Sequence, residues 1–151
     1  MKKYLFIALL VIVGIIQFIP SGRPEVIEHN ANDFILNNNV PENIQNILRA
    51  SCYDCHSNES VFPWYSYVAP VSWLVNYDIN EGKSHLNFSD WESLSKLKRV
   101  QKIDECAEEI IDGEMPMKIY TLMHSEAELS DLQKEEFMLW AETYAESLFE
   151  E

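Results

Sequence analysis

Cys52-Tyr53-Asp54-Cys55-His56 constrains this chain more than any other five residues in it. The spacing C-x-x-C-H is the one through which a c-type haem is attached, and it dictates geometry to whatever fold carries it. Residues three apart share one face of a helical turn, so Cys52 and Cys55 can each reach one vinyl group of the same porphyrin. His56, about 100° further round, is then aimed at the iron as proximal ligand. The flanking sequence suits such a turn. Asn39 as N-cap, Pro41 in the first turn, and Ile44, Ile47 and Leu48 at helical spacing predict a helix over 41–56. Other uses of C-x-x-C lack their context here. A thioredoxin-like dithiol belongs in a βαβ pattern, which is absent, and a zinc site needs a second Cys/His pair at ligand spacing. The motif therefore predicts one covalent haem c per chain.

The N-terminus agrees with that chemistry. Met1-Lys2-Lys3 precedes sixteen mostly apolar residues, 4–19, followed by Pro20, Ser21 and Gly22. This pattern reads as an export segment over 1–22, either a signal peptide or a retained membrane anchor. No small-x-small cleavage site follows, which favours an anchor, yet sixteen residues is short of the ~20 that span a bilayer. The Lys pair predicts that the rest of the chain lies on the periplasmic side of the cytoplasmic membrane, tethered there or soluble after cleavage.

Of the eleven Lys and Arg, three lie at or before Arg23, leaving eight against all twenty-five Asp and Glu. So acidic a chain argues against nucleic acid and against docking on anionic lipid. It permits steering toward a basic partner, although the acids also fit solvated helix faces. No alternating β-branched run suggests a sheet, and the expectation is all-α. Residues 23–39, rich in Asn, read as a linker, and 40–151 as one haem-binding domain. Within it, an aromatic loop around 62–67 is followed by a helix from Pro70 to Gly82. The next is capped by Ser89 with Glu92 and ends at Gly113. The last starts at Ser130 with Gln133.

The iron's sixth position decides between electron transfer and ligand chemistry. Met115 is the preferred ligand, because Gly113-Glu114 ends a helix before it and Pro116 stiffens the loop that presents its sulfur. Met117, two residues on, points elsewhere if the segment is extended. His85 and His124 are the alternatives, and an open iron is the third. Trp64 and Trp73 read either as walls of the haem edge or as ordinary core. Cys106, unpaired, reads as a small buried apolar residue.

Taken with the motif, Pro63-Trp64-Tyr65, Pro70, Trp73, Gly82, His85-Leu86-Asn87-Phe88-Ser89, Trp91, Gly113-Glu114-Met115-Pro116, Tyr120, His124, Leu129-Ser130 and Trp140 give a chain that resembles the small bacterial exported haem-binding-domain family related to c-type cytochromes. The resemblance covers 40–145. It implies a cytochrome c-like helical domain, haem on Cys52 and Cys55, His56 as proximal ligand, and Met115 in the Met-Pro position of the distal ligand. One departure is that similar proteins carry a histidine between the helix tryptophan and the glycine, where this chain has Asn76-Tyr77-Asp78. Three functions compete: an electron carrier with His56/Met115 ligation and no enzymatic activity, serving a redox protein the sequence does not name; a haem enzyme or gas or peroxide sensor with an open distal site; and a haem-containing interaction module of an envelope complex.

Overall fold

The computed structural model describes residues 2–150; Met1 and Glu151, the outer bounds of the expected segments, lie outside the described residues. Every regular element among them is helical, as the sequence predicts. Helix α1 (Lys2–Ile16) is apolar and exposed along its length. At 15 residues it rises about 22 Å, short of the ~30 Å hydrocarbon core. Among the described residues no helix is long and apolar enough to cross a membrane, so the spanning anchor expected there is not found.

The expected linker is irregular and exposed over 25–29, but its later part, 33–35, belongs to the core. Helix α2 (Phe34–Asn37) is capped by Asp33, whose Oδ1 accepts the Leu36 N–H at 3.2 Å. Phe34 is fully buried at the centre of an aromatic cluster, 4.6 Å from Trp91 and 5.3 Å from Tyr144 between ring centroids. Burying such a ring contributes about 1.5–3 kcal/mol. The asparagines tie the segment down: Asn37 Nδ2 donates to the Ala31 and Asp33 carbonyls, and Asn38 Nδ2 to the Phe34 carbonyl and Glu92 Oε1. Asn side chains satisfy a backbone that has no ladder of its own, which is why an Asn run can be either loop or scaffold.

The predicted helix over 41–56 is two helices, α3 (Glu42–Ser51) and α4 (Tyr53–His56), broken at Cys52, whose φ of −126° is not helical. Pro41, not Asn39, occupies the N-cap position. Helix α5 (Val71–His85) runs three residues beyond Gly82. Ser89 caps no helix: it lies inside a 3₁₀ stretch, Phe88–Ser93, that Asn87 caps through the Ser89 N–H at 3.1 Å, while Ser95 caps α6 (Lys96–Asp112) through the Lys98 N–H at 3.4 Å. Gly113 ends α6 in the left-handed region, φ 73°, as a glycine C′ residue does. A short α7 (Lys118–Thr121) follows the methionine loop, and α8 (Asp131–Glu150) starts at the expected Ser130–Gln133 capping box, with Gln133 N–H donating to Ser130 Oγ at 3.3 Å and Ser130 N–H to Gln133 Oε1 at 3.0 Å. Helices α6 and α8 pack along each other, α8 also meets α3, and α4 lies against α5. The core between them is built on Ile44, Leu48, Phe88, Trp91, Ile103 and Phe137.

Candidate functional site

The break at Cys52 shapes the site. The Cys52 N–H still completes α3 by donating to Leu48 O at 2.9 Å, while the Cys52 carbonyl accepts from Cys55 and His56 N–H at 3.1 and 2.9 Å and starts α4. Cys52, Cys55 and His56 all line one cavity of about 460 Å³, within the range of small-molecule and cofactor sites. The two residues between the cysteines lie outside that lining. Tyr53 is buried, stacks on Phe88 with centroids 5.2 Å apart, and its hydroxyl donates to Asp33 Oδ1 at 3.3 Å. Asp54 accepts the Val61 N–H at 3.1 Å and the Tyr120 hydroxyl at 2.8 Å.

His56 is held from behind. Its Nδ1 lies 3.1 Å from the Leu86 carbonyl oxygen. A carbonyl can only accept, so Nδ1 carries the hydrogen and Nε2 the free lone pair, the arrangement that fixes a metal-ligating histidine. Burial pushes the imidazole below its ordinary pKa, keeping that lone pair available, with the Leu86 bond opposing in part. Gly82, expected to end a helix, sits inside α5 against this turn. A Cβ there would stand 2.9 Å from the Cys55 carbonyl oxygen and 3.3 Å from His56 Cε1.

Met115, Pro116, Met117 and Tyr120 form another part of the wall. Glu109 O accepts from Glu114 and Met115 N–H at 3.0 and 3.1 Å, and the Met115–Pro116 peptide is cis. Both methionines line the cavity. The expectation that Met117 points elsewhere required an extended chain, and the chain instead turns at Met117 into α7. Leu48, Leu86, Phe88, Ile110, Leu129 and Phe137 supply apolar lining, and Asp78, Glu81, Lys102, Glu105 and Glu109 add charge. Cys106 lies in the same lining. Burial pushes the thiols of Cys55 and Cys106 up to about 12 and that of Cys52 higher still, so all three are protonated thiols at neutral pH.

The alternative histidines separate. His85 lines the cavity but is exposed and pairs with Glu81 at 3.2 Å. His124 is outside the lining. Its Nδ1 meets Glu126 Oε1 at 3.2 Å, its Nε2 meets the Tyr65 hydroxyl at 2.6 Å, and its ring stacks on Tyr120. Trp64 and Trp73 are also outside, so of the two readings, haem-edge wall or core, the first is not met, and the exposure of Trp64 excludes the second for that residue. The 3₁₀ turn Trp64–Tyr67 leaves Trp64 76 % exposed, and Trp73 directs its Nε1 toward the Ile19 carbonyl at 3.5 Å. Reasoning from sequence missed Gly82 as a point of close approach, the Leu86 carbonyl, and the Asp54–Tyr120 bond. The last joins residues 66 apart, which no spacing rule connects.

The donors fit a covalent haem. The thiols of Cys52 and Cys55, the His56 imidazole with its free Nε2 and the thioethers of Met115 and Met117 share a largely apolar cavity, and glycine at 82 leaves space beside His56. Among the described residues no three His, Cys, Asp or Glu side chains are grouped to hold a bare metal ion. The family model for a haem-binding domain matches residues 11–143. No curated protein and no solved structure matches the chain.

Proposed function

The chain belongs to the haem-binding-domain family, and on that premise we propose that it is an exported electron carrier working at the outer face of the bacterial cytoplasmic membrane. Cys52 and Cys55 would hold one haem through thioether bonds, His56 Nε2 would be the proximal ligand, and Met115 the distal one. When bound, the haem supplies a reversible one-electron change at its iron. The observation that carries the reading is the convergence of both thiols, His56 and Met115 on one cavity. Leu86 O fixes the tautomer and orientation of His56. Apolar side chains make up most of the cavity wall, and the Met115 thioether is the ligand type that raises a haem potential. Two protein ligands leave no position for a substrate, which favours electron transfer over ligand chemistry. The apolar, Lys-preceded N-terminal stretch and the covalent attachment chemistry both support export.

Pyridine haemochrome spectra of the exported protein test attachment: Cys52→Ala and Cys55→Ala should each lose one thioether and shift the band, and an unshifted spectrum overturns it. Met115→Ala should convert a low-spin spectrum into a high-spin one that binds carbon monoxide. If the spectrum stays low-spin, the distal role passes to Met117, which shares the lining. A second reading, an open site with peroxide or gas chemistry, rests on His85 as the one other histidine in that lining. It predicts carbon monoxide binding in the unaltered protein.

A further inference from the structure

The chain is acidic overall, yet two long stretches, 4–22 and 60–77, hold no charged residue at all, and the fold fastens one to the other. Gln17 Nε2 donates to Ala69 O at 3.1 Å while Ala69 N–H donates to Gln17 Oε1 at 2.9 Å. Asn80 Nδ2 reaches Gly22 O at 3.0 Å. Next to the first stretch, Arg23 donates to Ser66 O at 2.8 Å and lies 3.7 Å over the Tyr67 ring.

These contacts gather large apolar side chains on one side of the domain. Phe18 is 89 % exposed. Trp64 and Tyr67 on the 3₁₀ turn, and Val71, Leu74 and Tyr77 along one face of α5, are exposed with it. None has a role in the haem cavity. Trp and Tyr combine an apolar body with a polar tip, the combination that favours the headgroup layer of a membrane. Helix α1, which leaves this surface, is apolar and exposed all round, and an apolar helix without a protein partner favours an apolar medium such as the outer part of a lipid layer.

We propose that this uncharged surface rests on a lipid bilayer, with Trp64, Tyr67 and Tyr77 in the headgroup layer and the apolar side chains of α1 in contact with the same layer without crossing the membrane. Arg23 sits among these rings, and the ion pairs of the described residues do not involve it. Its Nη2 is given to Ser66, and the N–H donors of its guanidinium that Ser66 does not use are the ones a lipid phosphate would take. The acidic surplus elsewhere disfavours anionic headgroups, so the surface suits neutral phospholipid. The domain would then be held by its own face as well as by α1, with a fixed orientation of the cavity relative to the membrane.

The test uses the full chain with its haem, in phosphatidylcholine vesicles. A photo-crosslinking phenylalanine analogue replaces Trp64, Tyr77 or, as a control, the exposed Leu139 of α8. The expected result is a covalent phospholipid adduct at positions 64 and 77, about tenfold or more above that at 139. Adducts no more abundant at 64 and 77 than at 139 overturn the proposal. Crosslinked dimers in place of lipid adducts also overturn it and assign the surface to a second copy of the chain.

Discussion

Gly82→Ala separates a glycine placed for close approach from one that merely interrupts a helix. At an open helical position the change gains about 1 kcal/mol, because alanine loses less backbone entropy on folding. In this structure the new methyl would stand 2.9 Å from the Cys55 carbonyl oxygen and 3.3 Å from His56 Cε1. The first neighbour is backbone and cannot rotate aside, so α5 or the C-x-x-C-H turn has to shift. Crowding of this kind costs about 1–3 kcal/mol, which exceeds the propensity gain and leaves a net loss of about 1 kcal/mol. For a chain of this length that lowers Tm by about 2–4 °C. Because the crowded atoms belong to the turn, covalent haem content should fall as well. Thermal unfolding by circular dichroism and a pyridine haemochrome assay measure the two effects. Gly113→Ala is the control, since its φ of +73° makes alanine costly by about 1 kcal/mol but no heavy atom lies within 4 Å of the added Cβ. It should destabilise with haem content intact. A Gly82→Ala protein that melts above the parent and carries a full complement of haem would refute the argument.

Burial holds the Asp33 carboxyl above its ordinary pKa, with Glu59 adding to the effect, so the folded state binds that proton more tightly than the unfolded chain. Stability is then lost as pH rises through the window above about 4. An amide in place of this carboxyl would keep an oxygen for the Leu36 N–H and the Tyr53 hydroxyl without the charge, so Asp33→Asn should be more stable than the parent at pH 7 in urea titrations, the difference closing near pH 3. A parent that is the more stable at pH 7 contradicts this. Tyr120→Phe removes the hydroxyl that reaches Asp54 at 2.8 Å and should cost about 1–2 kcal/mol. Hydrogen exchange should quicken across 115–121, and unchanged exchange there would show that Asp54 does not restrain the methionine loop. Cys106, its thiol pushed up to about 12 by burial, should resist iodoacetamide at pH 8 until the protein is unfolded in urea. Rapid labelling of the native protein, read by mass spectrometry, would show that the wall of the cavity opens.

What can be read from the sequence depends on how local the physics is. The capping box at Ser130 and the Gly113 terminus are written within four residues, and both stand where expected. Cys52, Cys55 and His56 share a cavity as their local spacing suggests, even though the helix breaks at Cys52 and only a single turn follows it. Ser89 and Glu92 carry the same box pattern, but the helix begins at Ser95, six residues later. There the tertiary demand to bury Phe88 and Trp91 outweighs a local signal. Asn37 and Asn38 mislead for a related reason. Their side-chain bonds make an irregular segment rigid, and whether it then joins the core depends on Phe34 finding Trp91, Trp140 and Tyr144, all more than fifty residues away. Trp64 and Trp73 are ambiguous in the sequence because an aromatic residue suits a cofactor wall, a core or a membrane interface equally well. Only the fold shows which surface each one faces.

Tyr53 and Asp54 bear on how such a site can be both rigid and attached to the rest of the molecule. The motif leaves these two positions open because the cofactor makes no demand on them. In this chain they point in different directions and bond to parts of the sequence that share no local pattern. Tyr53 reaches Asp33 and stacks on Phe88, joining the turn to the core segment before α3. Asp54 reaches Tyr120, joining it to the methionine loop, and Val61, joining it to the start of the aromatic loop. Leu86 then restrains His56 from the end of α5. A four-residue helix has too few internal bonds to hold its own geometry, so the orientation of His56 depends on these external contacts. Substitutions at Asp33, Tyr120 or Gly82, none of which is a ligand, should therefore register in the haem spectrum as well as in stability.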